Sequence, residues 1–277
     1  MNQGDSQLPQ LQLLFQAPDL GPALALGEEI SDWYGGPLRL PDRGLYANFV
    51  TSLDGVAVVG DSSGSRLSGR SQADRLVMGV LRSVADAIVI GSGTLRGSPA
   101  HRWTPEHVFP PGAGRFAALR EQLALSAEPR LVVISGSGRI ELGHPGLSAG
   151  ALVLTSQAGA ERLGAPPGLE VTALGEAEVL PVQAILAELR RRGHARLLSE
   201  AGPTLFGRFL AAEVLSDLFL TLAPRLVGRT PEQPRAGMVA GVDLLAPGRE
   251  PIGDLLSARR DRSLLFLHYR LPVSPLP

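Results

Sequence analysis

Cysteine and lysine are both missing from this chain of 277 residues. Without cysteine there is no disulfide frame, no thiolate nucleophile and no thiolate-ligated zinc. Without lysine there is no Schiff-base catalysis and no P-loop lysine, and all 26 basic residues are arginines. The histidines, at 101, 107, 144, 194 and 268, never approach the spacing of a metal-binding pair of the HExxH kind. A formal net charge of -1 removes the basic face that nucleic acid or an anionic membrane would require. No apolar run reads as a transmembrane span, and the N-terminus is acidic, its first basic residue being Arg39, unlike a signal peptide. These absences imply a cytoplasmic protein whose remaining tools are carboxylates, hydroxyls, arginines and backbone amides. Chemistry beyond simple acid-base work would then have to come from a bound cofactor.

What is present suits a globular chain. Hydrophobic residues make up 44% of the sequence, enough to bury a sizeable core. Its most informative stretch is Ser199-Glu200-Ala201-Gly202-Pro203-Thr204-Leu205. An apolar run, residues 195–198, reads as a buried strand before it, and residues 205–210 read as an amphipathic helix after it. Gly202 lets backbone approach a ligand closely, Pro203 suits a first helical position, and Thr204 offers a hydroxyl beside free helix-start N–H groups. Glu200 stands where open α/β sheets place their ligands. The same residues also make an ordinary helix-start turn with a solvated glutamate, and spacing alone does not separate the two.

The pattern recurs along the chain. Residues 1–40 carry no base before Arg39 and read as an extension with one short helix within 22–33. Residues 45–50 form a strand ending in the polar turn Ser52-Leu53-Asp54-Gly55; Asp54 can bond its own backbone and Gly55 can take positive φ. The Gly- and Ser-rich loop 60–69 is expected to be mobile unless a ligand orders it. Ser71 caps a helix with an apolar stripe at Ala73, Leu76, Val77, Val80, Leu81 and Val84. Arg82 lies off that stripe, free to favour the helix dipole or to meet an anion. The buried strand 86–90 leads into a second glycine turn, Gly91-Ser92-Gly93-Thr94, and strand 130–134 into a third, Ser135-Gly136-Ser137-Gly138-Arg139. Strand 151–155, a short helix near Gly159, strand 169–172 and a helix opened by Pro181 follow. Residues 217–222 and 264–271 close the chain as two strands with no helix between them. The architecture implied is α/β: a mostly parallel central sheet flanked by helices, with antiparallel C-terminal strands. As apolar edges those two strands would need a partner, which predicts a homodimer.

Taken in order, Ser52-Leu53-Asp54-Gly55, Leu81-Arg82 before Asp86-Ala87-Ile88, Gly91-Ser92-Gly93-Thr94 and Glu200-Ala201-Gly202-Pro203-Thr204-Leu205 resemble the reductase domain of bacterial riboflavin biosynthesis. The resemblance covers roughly residues 44–271, within a single domain taken as 41–277, and implies a dihydrofolate-reductase-like fold. It implies NADPH-dependent reduction of the ribose of 5-amino-6-(5-phosphoribosylamino)uracil to a ribityl chain. Position by position, it implies that Arg82 and Glu200 bind substrate, with the sugar phosphate on Arg82. Thr94 and residues 202–205 would hold NADPH, with Ser135 beside it. Glu200 and Asp54 are the candidate catalytic acids, and Arg102 joins Arg82 as a second cation for the phosphorylated substrate. Asn48, Gly91, Gly93 and Arg139 complete the candidate cofactor set, Arg139 offering a guanidinium for a 2′-phosphate.

The chain also departs from the family's pattern. Asn48 stands where many members have lysine. A tryptophan common before the first helix is absent from Arg66-Leu67-Ser68-Gly69, and Leu95-Arg96-Gly97-Ser98-Pro99 lacks the acids often found there. The zinc deaminase that often precedes this domain has no cysteine ligands here. Related readings are a reductase of a pterin or another pyrimidine, or a non-catalytic nucleotide-binding paralogue. A pterin reductase would want a carboxylate near the start of the first helix of the domain, for which Asp54 and Asp74 are the candidates.

Overall fold

The computed structural model describes residues 8–18, 23–59, 66–245 and 252–274. Its strands are Gln12–Gln16 (β1), Gly44–Ser52 (β2), Ala87–Gly91 (β3), Arg130–Ile134 (β4), Leu152–Thr155 (β5), Glu170–Ala173 (β6), Arg196–Ser199 (β7), Leu215–Ala223 (β8), Asp254–Asp261 (β9) and Leu264–Arg270 (β10). The helices are Glu28–Tyr34 (α1), Gln72–Ser83 (α2), Ser92–Arg96 (α3), Pro105–Val108 (α4), Ala113–Gln122 (α5), Gln157–Leu163 (α6), Val182–Arg191 (α7) and Pro203–Ala211 (α8). All the strands join one sheet in the order β1-β9-β10-β8-β2-β7-β3-β4-β5-β6. From β8 to β6 neighbours run parallel; β10, β9 and β1 are added antiparallel.

Local chemistry accounts for these elements. The continuous apolar runs of β3 and β4 are buried on both faces, as parallel strands covered by helices must be. Ser71 Oγ accepts from the backbone N–H groups of Ala73 and Asp74 and starts α2. Gly202 and Pro203 start α8. The sheet separates two cores. On one side α2 packs with Tyr46, Ile88, Phe109 and Phe116; on the other, α7 and α8 bring Ile185, Leu189, Phe206 and Phe209 against Ala47, Val89 and Leu197. After β3 the chain works outward to β6, then α7 returns it and β7 inserts between β2 and β3. The connections therefore diverge at the carboxyl ends of β7 and β3, the place where open α/β sheets leave a ligand crevice.

Three expectations are corrected. Residues 8–40 hold more than one short helix: β1 pairs with β9, and Ile30 and Tyr34 of α1 enter the core. A strand, β9, stands between the two expected at the C-terminal end. It was hidden because Arg259 interrupts its apolar pattern, yet Arg259 is buried, donating to Gly35 O, Pro37 O and Ser257 Oγ and lying over the Tyr34 ring. Consequently β8 and β10 are interior strands, and the sheet's edges are β1 and β6. Residues 60–65 of the loop 60–69 lie outside the described residues, and so does the expectation of mobility there. Among the described residues no helix is long and apolar enough to cross a membrane.

Candidate functional site

The crevice is built on β2 and β7. Ala47 pairs with Ser199, so Glu200, one residue beyond β7, comes level with Asn48. The Glu200 N–H extends the sheet by donating to Val89 O at 3.0 Å. Tyr46, whose hydroxyl donates to Leu81 O of α2, marks the α2 face of β2, which alternation assigns to Asn48 and Val50 as well. Phe49 faces α8, its ring 4.6 Å from that of Phe206. Asn48, Phe49 and Val50 are only partly buried although β2 is a central strand. Space is therefore left above both faces of the sheet at this level.

Arg82 and Glu200 do meet, but not across an open cleft. The Arg82 side chain is fully buried and that of Glu200 is 10% exposed. Nε and Nη2 of Arg82 donate to the two carboxylate oxygens, each at 2.7 Å. Nη1 donates to Arg102 O and Thr104 O, and Nη2 also meets His101 Nε2 at 2.8 Å. Since arginine carries only donors, His101 Nε2 accepts and its proton sits on Nδ1. Burial, then the Arg82 charge, pushes the His101 pKa down to about 2, so this ring is neutral. Its hydrogen-bonding nitrogens are all engaged by protein, and Arg82 holds Glu200 in place. It reads as off-stripe in the sequence because α2 is buried on more than one face, against α1, α4 and α5.

Two more expected site residues, Asp54 and Arg102, also have protein partners. Asp54 accepts from Ser52 Oγ (2.7 Å), Gly228 N (2.8 Å) and Val227 N (3.1 Å), and its carbonyl accepts from Arg229. These bonds, that of Ser52 first, lower its pKa to about 2. A carboxylate so held ties the turn after β2 to the segment after β8. Arg102 presents its backbone to Arg82, while its side chain pairs with Glu128 and lines a cleft of about 520 Å³ with Asp86, Arg130 and His194. Those residues lie at the amino ends of the strands, so Arg102 faces away from the crevice. Arg130 of that cleft is paired as well, with Glu170.

The glycine turns do converge. A Cβ added at Gly202 would lie 3.6 Å from Thr94 Oγ1, and one at Gly91 would lie 3.9 Å from Leu205 Cδ2, so the starts of α3 and α8 face one another. Gly93 and Thr204 are exposed there. Ser135, at the end of β4, is buried with a hydroxyl that has no partner. Arg139, in the same turn, is exposed. Close-approach glycines, the open N–H groups of α8, the Thr94 and Thr204 hydroxyls and the orphaned Ser135 hydroxyl fit the phosphates and sugar of a dinucleotide. Among the described residues no group of three or more His, Asp or Glu side chains could hold a metal ion.

The residues that sequence reasoning undervalued are His101 and Asp74. Asp74, in the first turn of α2, is 4% exposed and accepts from Thr221 Oγ1 of β8 at 2.9 Å. Burial raises its pKa, and hydrogen bonds from Ser68 and Thr221 work against that rise. The start of a helix was visible in the sequence; the strand residue opposite it was not.

An open sheet whose strand order switches beside β7, with two glycine-bounded helix starts and a fixed acid at the switch, is an architecture of the dihydrofolate-reductase-like class. The profile of the RibD C-terminal domain matches residues 43–241. The chain belongs to that family. Its sequence is 27% identical over 191 residues to the 2,5-diamino-6-ribosylamino-4(3H)-pyrimidinone 5′-phosphate reductase of Archaeoglobus fulgidus, covering 66% of this chain and 81% of that one. The fold is shared with a pyrimidine reductase-like protein of Corynebacterium diphtheriae (TM-score 0.66, 21% identity, 85% of this chain and 96% of that). It is shared too with the riboflavin biosynthesis reductase Rib7 of Saccharomyces cerevisiae (TM-score 0.60, 12% identity, 84% and 92%). Acinetobacter baumannii RibD is similar over 83% of this chain but only 58% of its own (TM-score 0.59, 18% identity). The family and fold expected from the motifs are those found.

Two measurements check this geometry. Arg82→Leu strips a buried carboxylate of its counter-charge, which costs about 3–5 kcal/mol; denaturant unfolding should register that loss, and Arg82→Lys should recover only part of it. A variant as stable as the parent with only its KM raised would return Arg82 to the substrate phosphate. For Asp54 the sign follows from a folded pKa of about 2 against an ordinary 3.8. Its stabilisation is complete above the ordinary value and is lost as pH falls towards 2. Asp54→Asn should therefore flatten the dependence of unfolding free energy on pH across that window, and an unaltered slope would mean that these bonds contribute nothing.

Proposed function

We propose that the protein is a reductase of the riboflavin pathway that uses NADPH to reduce the ribosyl chain of an aminopyrimidine ribotide to a ribityl chain. The observation that carries this reading is the meeting of the α3 and α8 starts beside Glu200, in a chain of the RibD C-terminal domain family. When bound, the nicotinamide would supply the hydride. Gly91, Gly93 and Gly202 would let it approach the backbone, the first turn of α8 with Thr94 and Thr204 would hold its phosphates, and Ser135 would receive a hydroxyl. Arg139, exposed in the turn after β4, is suited to a 2′-phosphate. Glu200, held by Arg82, would accept hydrogen bonds from sugar hydroxyls and fix the reacting carbon, so that positioning supplies most of the catalysis. The substrate is a phosphorylated small molecule and the setting is cytoplasmic, since the charge balance favours neither nucleic acid nor membrane.

A homodimer is part of the proposal, on a different edge from the one first expected. Leu13, Leu14 and Phe15 of the edge strand β1 are 40%, 49% and 44% exposed, a combination that invites a partner strand. The protein should sediment as a dimer at micromolar concentration and Leu14→Arg as a monomer; a monomeric parent removes the dimer from the proposal.

Cofactor oxidation with an aminopyrimidine ribotide tests the activity. NADPH at ~100 times its dissociation constant should add ~2.7 kcal/mol of stability in a thermal shift. Arg139→Ala should weaken NADPH while leaving NADH unchanged. Neither oxidation nor a thermal shift would leave a non-catalytic paralogue, and equal affinities for the two cofactors would remove the NADPH preference.

A further inference from the structure

The cleft of about 520 Å³ at the amino ends of β3, β4 and β7 takes no part in the reading above. Its volume suits a small molecule of one or two rings. Trp103 and Leu131, 3% and 7% exposed, give it an apolar wall. The charged groups that line it are balanced in number, but they are not equally committed. Asp86 is fixed, its Oδ2 accepting from the N–H groups of Ala195 and Arg196 at 2.9 and 2.6 Å. Arg130 gives Nη2 to Glu170 at 3.1 Å, while its Nη1 lies beside Gly150, 3.4 Å from where a Cβ would stand. Arg102 is the loosest of them: its side chain is 44% exposed and stands 3.7 Å from Glu128, longer than a hydrogen bond. Burial lowers the His194 pKa against the pull of Asp86, so this ring adds no cation.

Two stretches of the cleft lining are tied to one residue. Arg102 and Thr104 line it, and their carbonyls accept from Arg82 Nη1 at 3.3 and 3.2 Å. Ser126 and Ala127 line it as well, and their carbonyls accept from Nε of the buried Arg120, whose Nη1 donates to the carbonyls of Arg82, Ser83 and Ala85. One stretch therefore holds the Arg82 guanidinium and the other holds its backbone. We propose that this cleft is an effector site for an aromatic carboxylate, and that filling it stiffens the Arg82–Glu200 pair. The inference goes beyond the reductase reading and does not depend on it. The uncommitted fork of Arg102 matches a carboxylate through two parallel hydrogen bonds, and Trp103 and Leu131 receive the ring. With Asp86 and Glu128 facing the same space as the two guanidiniums, a ligand with a second negative charge, such as a phosphate ester, would meet repulsion that a monoanion does not. Ordering Arg102 on the ligand restricts the backbone whose carbonyl holds Arg82, and rigidity gained at one site lowers the cost of ordering the other.

The test uses Trp103 as its signal, in a Trp33→Phe background where it is the only tryptophan left. Benzoate is the probe, benzamide its uncharged match and phenyl phosphate the dianion. Benzoate should change the Trp103 emission saturably, with a Kd of about 1 mM or tighter. Benzamide should bind ~10-fold or more weakly, for want of charge-assisted hydrogen bonds. Arg102→Gln keeps the backbone carbonyl that Arg82 uses and should weaken benzoate by ~10-fold or more. Glu128→Gln removes the competitor for the same fork and should tighten benzoate by about two- to fivefold. Effects of opposite sign from two exposed neighbours separate recognition from a general change in stability. Saturating benzoate should also slow hydrogen exchange at the Glu200 amide, which donates to Val89 O, by about fivefold, and leave the amides of β9 unchanged. No saturable emission change, an Arg102→Gln variant that binds like the parent, or binding without slower exchange at Glu200 overturns the inference. Phenyl phosphate binding more tightly than benzoate overturns the choice of a monoanion. None of these measurements uses NADPH or a ribotide, so this inference and the reductase reading stand or fall separately.

Discussion

The arginine-carboxylate pair at the centre of the molecule constrains more of the structure than any other contact. Arg82 comes from the last turn of α2, Glu200 from the end of β7, and the carbonyls that take the remaining guanidinium protons belong to the segment between α3 and α4. One side chain thus fixes a helix, a strand and a loop from three distant parts of the chain. A buried ion pair is poor evidence of net stability, because desolvation offsets its attraction. Its value is geometric. Glu200 is held to one orientation because both its oxygens are clamped by Arg82, and burial first, then the same cation, keeps His101 neutral.

Much of the fold was legible in the sequence, for a reason that also explains what was not. Strands β3 and β4 are short, wholly apolar and bounded by turn residues, so their physics is local. Likewise the glycine turns at 91–93 and 202 announce themselves, since backbone that must approach a ligand needs glycine. Arg82, Arg102, Asp54 and Asp74 were harder because a polar side chain's meaning depends on what stands opposite. Arg82 looks solvated until Glu200 is placed beside it; Asp54 looks chemical until the N–H groups of Val227 and Gly228 are found on it. The Arg259 of β9 breaks an apolar pattern in the sequence and yet is buried, satisfied by carbonyls of residues that precede it by most of the chain.

The central strand separates the two halves of the crevice. Alternation along β2 sends Asn48 and Val50 to the face of α2 and Phe49 to the face of α8, so neighbouring residues of one strand serve two compartments. The α8 side is apolar and glycine-bounded, suited to the flat and phosphorylated parts of a cofactor. The α2 side holds the two acids. A register slip of one residue in β2 would exchange these surfaces, and parallel pairing with β7 and β8 on both flanks is what prevents it.

The pairing of β1 with β9 carries a consequence for how the chain comes to be folded. Residues 12–16 find their partners at 257–260, so β1 cannot dock until β9 has been synthesised. β7, likewise, must enter between two strands made long before it. Contacts this distant in sequence make for slow closure. Until closure, the leucines and phenylalanine of β1 remain uncovered and the half-sheet lacks its outer strands. During synthesis in the cell, the segment most exposed to misassociation is therefore made long before the strand that secures it.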